Sequence, residues 1–261
     1  MVKTESIRAC TPILPLPLPR PLSLVIPKPV TTGLVAGAIA AYLESPDKRV
    51  DEGVLEEMLT ACRRTFTRQL MAGREPKAGR ESATTYTHPC ARKGRLTYDG
   101  APRGELPART LLKCVVGDLI ELIVLGVATL AGLAIQHHDG LTIEGRDGAR
   151  IPVHPDGLLS HLGVLTNLEI KSCDTRTFER WLAQGGPDDT WGYRTQATLE
   201  VQAWRNAGYA VRDTRLIAVS TGSAHSSLAE WRLPLQPELL AAWHYRRAKA
   251  RGPLVPPVPY V

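Results

Sequence analysis

The chain has 261 residues and a mass of 28.5 kDa, enough for one domain with a well-filled core or for two small ones. Hydrophobic residues at 43% and charged residues at 22% describe an ordinary soluble globular protein. The five scattered cysteines contain no CxxC pair, which argues against a disulfide framework or a closed zinc site and for a reducing, cytoplasmic compartment. A net charge of +6, a pI near 9.2 and a bias of arginine over lysine suit an anionic partner, nucleic acid among the candidates.

Residues 1–32 read as a proline-rich arm. Its apolar part, "TPILPLPLPRPLSLVIPKPV", is broken by proline every few residues; it cannot form a signal-peptide helix and is expected to lie extended on the domain or on a partner. "TTGLVAGAIAAYLES" predicts a helix, and "SPDKRVDEGVLEEMLTACRRTFTRQLMAG" a second with an acidic first turn and a basic last turn. Residues 73–110 have no clear period and read as loops and short elements around "YTHPCARKGRLTYDG". The apolar run from Cys114 to Ile135 approaches membrane-spanning length, but it holds Asp118 and Glu121, each costing about 2.5–3.5 kcal/mol at a bilayer centre. A core helix with a functional acid is the better reading, and no membrane is expected.

Then the period changes. "GLTIEG" and "ARIPVHPDGLL" flank the turn signal "RDG" and predict a hairpin; "GVLTNLEIKS" predicts the next strand. "TFERWLAQ" is a short helix, "TWGYRTQATLEVQAWRNAG" a longer one ending at Gly208, "DTRLIAVST" a late strand, and "QPELLAAWHYRRAKARG" a terminal basic helix. There is no internal repeat. This order predicts an α/β fold with a mixed central sheet flanked by helices, behind a helical N-terminal part.

Glu169 and Lys171 lie one residue apart on a strand and share a face, with Leu168 and Ile170 on the other. Pairing strands 150–159 and 163–172 through a tight "SHLG" loop sets Asp156 opposite Asn167 and diagonal to Glu169, so that Asp156, Glu169 and Lys171 share one face. A slip of one residue would send Asp156 to the other side. Two carboxylates about 4 Å apart repel by about 4 kcal/mol at an effective dielectric of 20, so a proton, a cation or solvent must offset them. All-oxygen ligands favour Mg²⁺ or Mn²⁺, and a lysine beside such an ion suits phosphodiester hydrolysis. On spacing alone a solvated strand face and an ordinary Asp-Gly turn remain open.

As an ordered set, these residues resemble the PD-(D/E)XK nuclease superfamily, in the RecB-like branch that includes phage-encoded and CRISPR-associated exonucleases. The resemblance runs over roughly residues 86–250. "YTHPCARKGRLTY" is similar to the C-P-R-K-x-x-x-Y segment, "GDLIE" (Gly117 to Glu121) to a helical G-x-x-x-H/E element, and "HPDG" and "EIK" to the two central motifs. "YRTQATLE" (Tyr193 to Glu200) sits where the family places a Q-x-x-x-Y helix, and "EWRLPLQPELLAAWHYRRAKA" resembles the closing strand and helix of phage members.

The resemblance implies one nuclease domain over residues 33–261, with a helical region 33–113 and a catalytic core 114–261. It implies Glu121, Asp156 and Glu169 as metal ligands, with the carbonyl of Ile170 as a further one. Lys171 would be the catalytic lysine, Gln196 would position Lys171 or the DNA, and Tyr193 would contact a nucleotide. Glu200 departs from the family pattern, where tyrosine is usual. Cys90 has no C-terminal cysteine trio to join, so no iron–sulfur cluster is expected.

The activity implied is metal-dependent exonuclease cleavage from DNA ends, favouring single strands or overhangs. A branched-DNA or duplex endonuclease of the same fold is the alternative. A non-catalytic DNA-binding or assembly protein, its arm docking a partner, is a third reading. A homo-oligomer or a recombination partner is compatible with the resemblance.

His154 falls on the Asp156 face, as a group behind the ligands or one facing DNA. Arg92, Lys93 and Arg95, and farther on Arg246, Arg247, Lys249 and Arg251, are basic clusters that are either solvated surface or phosphate tracks. His137-His138 reads as helix capping. Most tryptophans are core candidates, whereas Trp191, beside Gly192 and Tyr193, is a candidate base-stacking platform. No glycine-rich phosphate loop with lysine is present, which excludes an ATPase reading.

Overall fold

The alternating segments after residue 133 build one mixed sheet in a computed structural model that describes residues 33–71, 81–88, 90–101, 107–222 and 227–252. The proline-rich arm and parts of the 73–110 region lie outside the described residues. In chain order the elements are α1 (Leu34–Glu44), α2 (Glu52–Met71), a 3-10 turn (Ala83–Tyr86), α3 (Ala91–Tyr98), α4 (Ala108–Leu130), β1 (Ala134–Gln136), β2 (Thr142–Glu144), β3 (Arg150–Pro152), β4 (Gly157–His161) and β5 (Val164–Cys173). There follow α5 (Thr175–Gln184), α6 (Tyr193–Asn206), β6 (Asp213–Ser220), β7 (Leu228–Pro234) and α7 (Pro237–Arg251). The main sheet has the order β1-β4-β5-β6-β7, parallel between β5 and β6 and antiparallel elsewhere.

Helix α4 stops earlier than its apolar run suggests. Gly132 takes a φ of +85°, its N–H reaches the Thr129 carbonyl, and the Leu133 N–H reaches Ala128. This pair of hydrogen bonds closes the helix through a left-handed glycine. The apolar residues beyond it, Ala134 and Ile135, are β1 rather than helix. Among the described residues no helix is long and apolar enough to cross a membrane.

The segment expected as one strand over 150–159 is two. Arg150–Pro152 pairs with Thr142–Glu144 in a separate two-stranded sheet, which is the predicted "RDG" hairpin, and β4 begins afresh at Gly157. Pro152 and Pro155 supply no N–H to a continuing ladder. The loop after β4 is also shorter than "SHLG". Leu162 and Gly163, with φ of 49° and 77°, form a two-residue turn with both residues left-handed, the primed geometry that suits a hairpin. This moves the register by two residues, so Leu158 rather than Asp156 faces Asn167. An even shift preserves the faces.

Two layers of helices cover the sheet. On one side α1 and α4 pack Val35, Ile39, Val124, Leu125 and Ala128 against Leu159, Leu168, Ile170 and Ile217. On the other, α6 and α7 pack Leu199, Trp204 and Trp243 with Leu158 and the β2–β3 hairpin, while α5 sets Phe178 and Trp181 against Leu216 and Ala218. The start of α1 is fixed to the sheet by Glu230, whose carboxylate accepts the N–H groups of Val35 and Ala36 at 2.8 and 3.0 Å. An anion there suits the positive end of a helix.

Candidate active site

Strand β5 outruns its neighbour. Gly157, the first residue of β4, pairs with Leu168, so Glu169 to Cys173 are paired only on the β6 side. The free edge would leave backbone donors unmet. Asp156, immediately before β4, fills the gap: its Oδ2 accepts the Ile170 N–H at 2.6 Å. That bond brings its carboxyl beside Glu169, level with it rather than diagonal. Across the same gap stands α4, whose Leu125 lies against Gly157. A Cβ on Gly157 would meet Ile135 at 3.0 Å and Leu125 at 3.6 Å, so the "DG" pair admits the helix closely. Glu121 sits one helical turn before Leu125.

The groups are near enough to act on each other's charge. Burial, and then the Glu169 charge, push the Glu121 carboxyl up to about 7. The same two causes raise Asp156 well above the ordinary carboxylate range, against the pull of Lys171 and the Ile170 N–H. Glu169 itself is fully buried and ion-paired with Lys171. Burial opposes the charge on Lys171, but Glu169 and Asp156 outweigh it and hold its pKa above the usual lysine value. The ammonium also lies 5.6 Å from the centre of the Tyr193 ring, which stands edge-on to Trp181 at 5.5 Å. Tyr193 is thereby a half-buried wall of the lysine's pocket.

A fourth carboxyl belongs to the cluster. Glu200, fully buried on α6, accepts hydrogen bonds from Gln196 Nε2 at 2.9 Å and from Asn167 Nδ2 at 2.8 Å. Asn167 is held in turn by Thr214 Oγ1 at 3.0 Å and by the Trp204 indole N–H at 2.9 Å. Burial, Glu169 and Asp156 raise the Glu200 carboxyl strongly. With both acids ionised they repel, and among the described residues Glu169 has only the Lys171 ammonium, at Oε1, as a counter-group. A proton on Glu200 turns that repulsion into a hydrogen bond to Glu169. Gln196 therefore touches Glu200 and, through it, Glu169. Glu200 and Asn167 were missed as site residues. The hints were the place of Glu200 where the resembled family has tyrosine and the four-residue spacing that stacks Gln196 and Glu200 on one helix face.

Among the described residues no three His, Cys, Asp or Glu side chains are arranged, as they stand, to hold a metal ion. The residues nevertheless fit a hard cation. Glu169 has an enclosed Oε2 with no hydrogen-bond partner among the described residues, Lys171 meeting only Oε1, the surrounding acids are held against their own charge, and every candidate ligand atom is oxygen. Mg²⁺ commonly takes only one or two carboxylates and completes its shell with water and substrate phosphate. What the structure gives Ile170 is a donor role through its N–H.

The remaining expected residues divide. Arg92 and Lys93 are exposed on α3, and Trp191 is 57% exposed. Arg95 is instead spent on Asp99 and on the Gly252 carbonyl at 2.9 Å, a tie between α3 and the end of α7. His154 is exposed, and no hydrogen bond among the described residues engages it. The C-terminal basic cluster is also tied down. Arg247 is buried against Glu81 and Asp147 at 2.9 and 2.7 Å, Arg251 joins the same pair of acids, and Arg246 donates to the Tyr86 carbonyl at 2.8 Å. These arginines fasten α7 to the core, so neither a solvated face nor an open phosphate track describes them. A cavity of about 630 Å³ lies at the far end of α6, lined by Gln202, Asn206, Arg150 and His244, and holds none of the site acids.

No protein-family profile matches the chain, and no curated protein matches it. Among solved structures it is similar to SSO0001, known from a crystal structure, over 76% of this chain and 87% of that one, at 14% identity and a TM-score of 0.42. A likeness that weak carries no argument.

Proposed function

We propose that this protein is a divalent-metal-dependent DNA nuclease of the PD-(D/E)XK type, with its α/β sheet as the core of that fold, acting on DNA ends. The observation that carries this reading is the convergence of Glu121, Asp156 and Glu169 with Lys171 at the unpaired edge of β5, where the buried Glu169 carboxylate has the Lys171 ammonium at Oε1 and no hydrogen-bond partner at Oε2 among the described residues. Asp156 and Glu169 would hold Mg²⁺ or Mn²⁺, with Glu121 and the Ile170 carbonyl beside them. A bound divalent ion supplies a water of lowered pKa and a counter-charge for the phosphate.

The chain's own residues do the rest. Lys171 keeps a full positive charge in a partly open pocket, where it can orient the attacking water or neutralise charge that grows on a phosphate oxygen. Tyr193 and Trp181 fix the position of its ammonium. Gln196, Glu200 and Asn167 brace the Glu169 carboxylate from the α6 side. Asp156 holds the edge of β5 through Ile170, which keeps the acids in register with the lysine.

The test is digestion of end-labelled linear single strands, linear duplex and closed circular DNA with Mg²⁺ or Mn²⁺ and with EDTA. Linear substrates are expected to be cut only with metal, and circles to survive. Cut circles would make the enzyme an endonuclease of the same fold. Lys171→Ala is expected to slow turnover by about 100- to 1000-fold while retaining DNA binding. Wild-type rates in that variant would remove the mechanism. Metals that gave neither cleavage nor thermal stabilisation would favour the reading as a non-catalytic DNA-binding or assembly protein.

A further inference from the structure

The loop that leads into α6 holds an indole out in water, although three other tryptophans, Trp181, Trp204 and Trp243, are fully buried. This loop is braced. Asp188 Oδ1 accepts the Thr190 N–H at 2.9 Å, and the Asp189 carbonyl accepts the Gly192 N–H at 2.9 Å. The Asp189 carboxylate takes both the N–H and the hydroxyl of Thr195, at 2.8 and 2.6 Å. Gly192, with φ of 79°, rests against Thr87 so closely that a Cβ would come within 2.6 Å of it. Position 192 therefore needs glycine on both counts.

That contact sets the next residue, His88, beside Trp191, with ring centroids 6.5 Å apart and planes at 60°. His88 Nδ1 accepts the Cys90 N–H at 3.1 Å, so the neutral ring carries its proton on Nε2. Burial, then the charges of Lys93 and Arg246, hold the imidazole below its ordinary pKa, so it is a neutral aromatic at pH 7. Gly192 runs directly into Tyr193, whose ring adjoins the Lys171 ammonium. The Trp191 Cα is thus within ~7.6 Å of that of Tyr193.

We propose that Trp191 and His88 form a stacking subsite for one unpaired base of the DNA strand being cut, with Lys93 beside it for a backbone phosphate. The proposal rests on the nuclease reading and gives it a substrate class. Every base offers a π face, so such a site is indifferent to sequence. A base inside a duplex already spends both faces on its neighbours, so the subsite selects single strands and frayed ends.

The test uses the full chain in EDTA, which separates binding from cleavage. Tryptophan fluorescence is titrated with a short oligothymidylate and, in parallel, with a blunt duplex. The single strand is expected to quench the wild type. Trp191→Phe should lose most of the quench yet keep the affinity. Trp191→Ala and His88→Ala should weaken single-strand binding by about 5- to 150-fold while duplex binding stays within error.

Single-strand affinity unchanged in Trp191→Ala, or lost equally for both substrates, would overturn the subsite. Cleavage by the wild type with Mg²⁺ would then still uphold the nuclease reading. Conversely, a Trp191-dependent quench without cleavage under either metal would keep the subsite and remove the nuclease.

Discussion

Replacing Glu121 by glutamine deletes one carboxyl from the cluster while preserving its shape, and the structure states what that should do. In the unfolded chain the Glu121 carboxyl titrates near 4.5; in the fold, burial and the Glu169 charge move it to about 7. The folded state therefore binds the proton more tightly. Its contribution is present in full below pH 4.5, drains away as pH rises through 7, and is gone when both states are ionised. The loss amounts to ~3 kcal/mol by pH 8, since each tenfold difference in proton affinity is worth about 1.4 kcal/mol. Glutamine carries no charge to lose. Glu121→Gln is thus expected to match the wild type near pH 4.5 and to exceed it by ~3 kcal/mol at pH 8. For a chain of this size that is a rise in Tm on the order of 5–10 °C.

Thermal or urea unfolding at pH 5 and pH 8 in EDTA measures it. Mg²⁺ or Mn²⁺ should recover part of the difference for the wild type at pH 8 and less for the variant. A variant no more stable than wild type at pH 8 would refute the claim that Glu121 is buried against like charge, and with it the convergence of α4 on β5.

Two further expectations concern the scaffold, each measured by chemical denaturation. Arg247→Met leaves Glu81 without its buried counter-ion and should cost about 3 kcal/mol, the low end for a broken buried pair, because Arg251 remains beside both acids and Asp147 is partly in water. Leu162→Asn should stabilise by about 1 kcal/mol, since leucine at φ of 49° is strained and 89% exposed, whereas Asn-Gly is the favoured pair for this turn. An unchanged midpoint in either variant would count against the local account given for it.

Much of the fold was legible because hydrophobic period alone separates helix from strand over long segments, as with α2, α6 and β5. It failed where two elements share one apolar run. "ATLAGLAI" carries the end of α4 and all of β1, and only the left-handed Gly132 divides them. It failed again at "RIPVHPDGLL", where both halves alternate and the break falls at prolines between two different sheets. The C-terminal arginines were misjudged for another reason. Their partners Glu81 and Asp147 lie 166 and 100 residues from Arg247, a distance at which composition is silent.

The shared face of Asp156 and Glu169 survives the change of register, and the reason is parity. Moving β4 by two residues against β5 changes which residue faces Asp156 but not which side of the sheet it occupies. Glu200 was noticed only as a departure from the motif, because a helix residue in a run of mixed polarity joins the acid cluster only when a strand brings Asn167 and Glu169 beneath it. Its burial beside Glu169 also speaks against the solvated strand face that spacing left open. A strand face open to water would leave its acids near their ordinary pKa values. Here Glu121, Asp156 and Glu200 are all raised, each by burial first and by Glu169 second. Four carboxyls share one ammonium, and the fold tolerates the excess negative charge by retaining protons. A bound cation would relieve such a cluster, and it is the burial of these acids that separates it from a solvated surface.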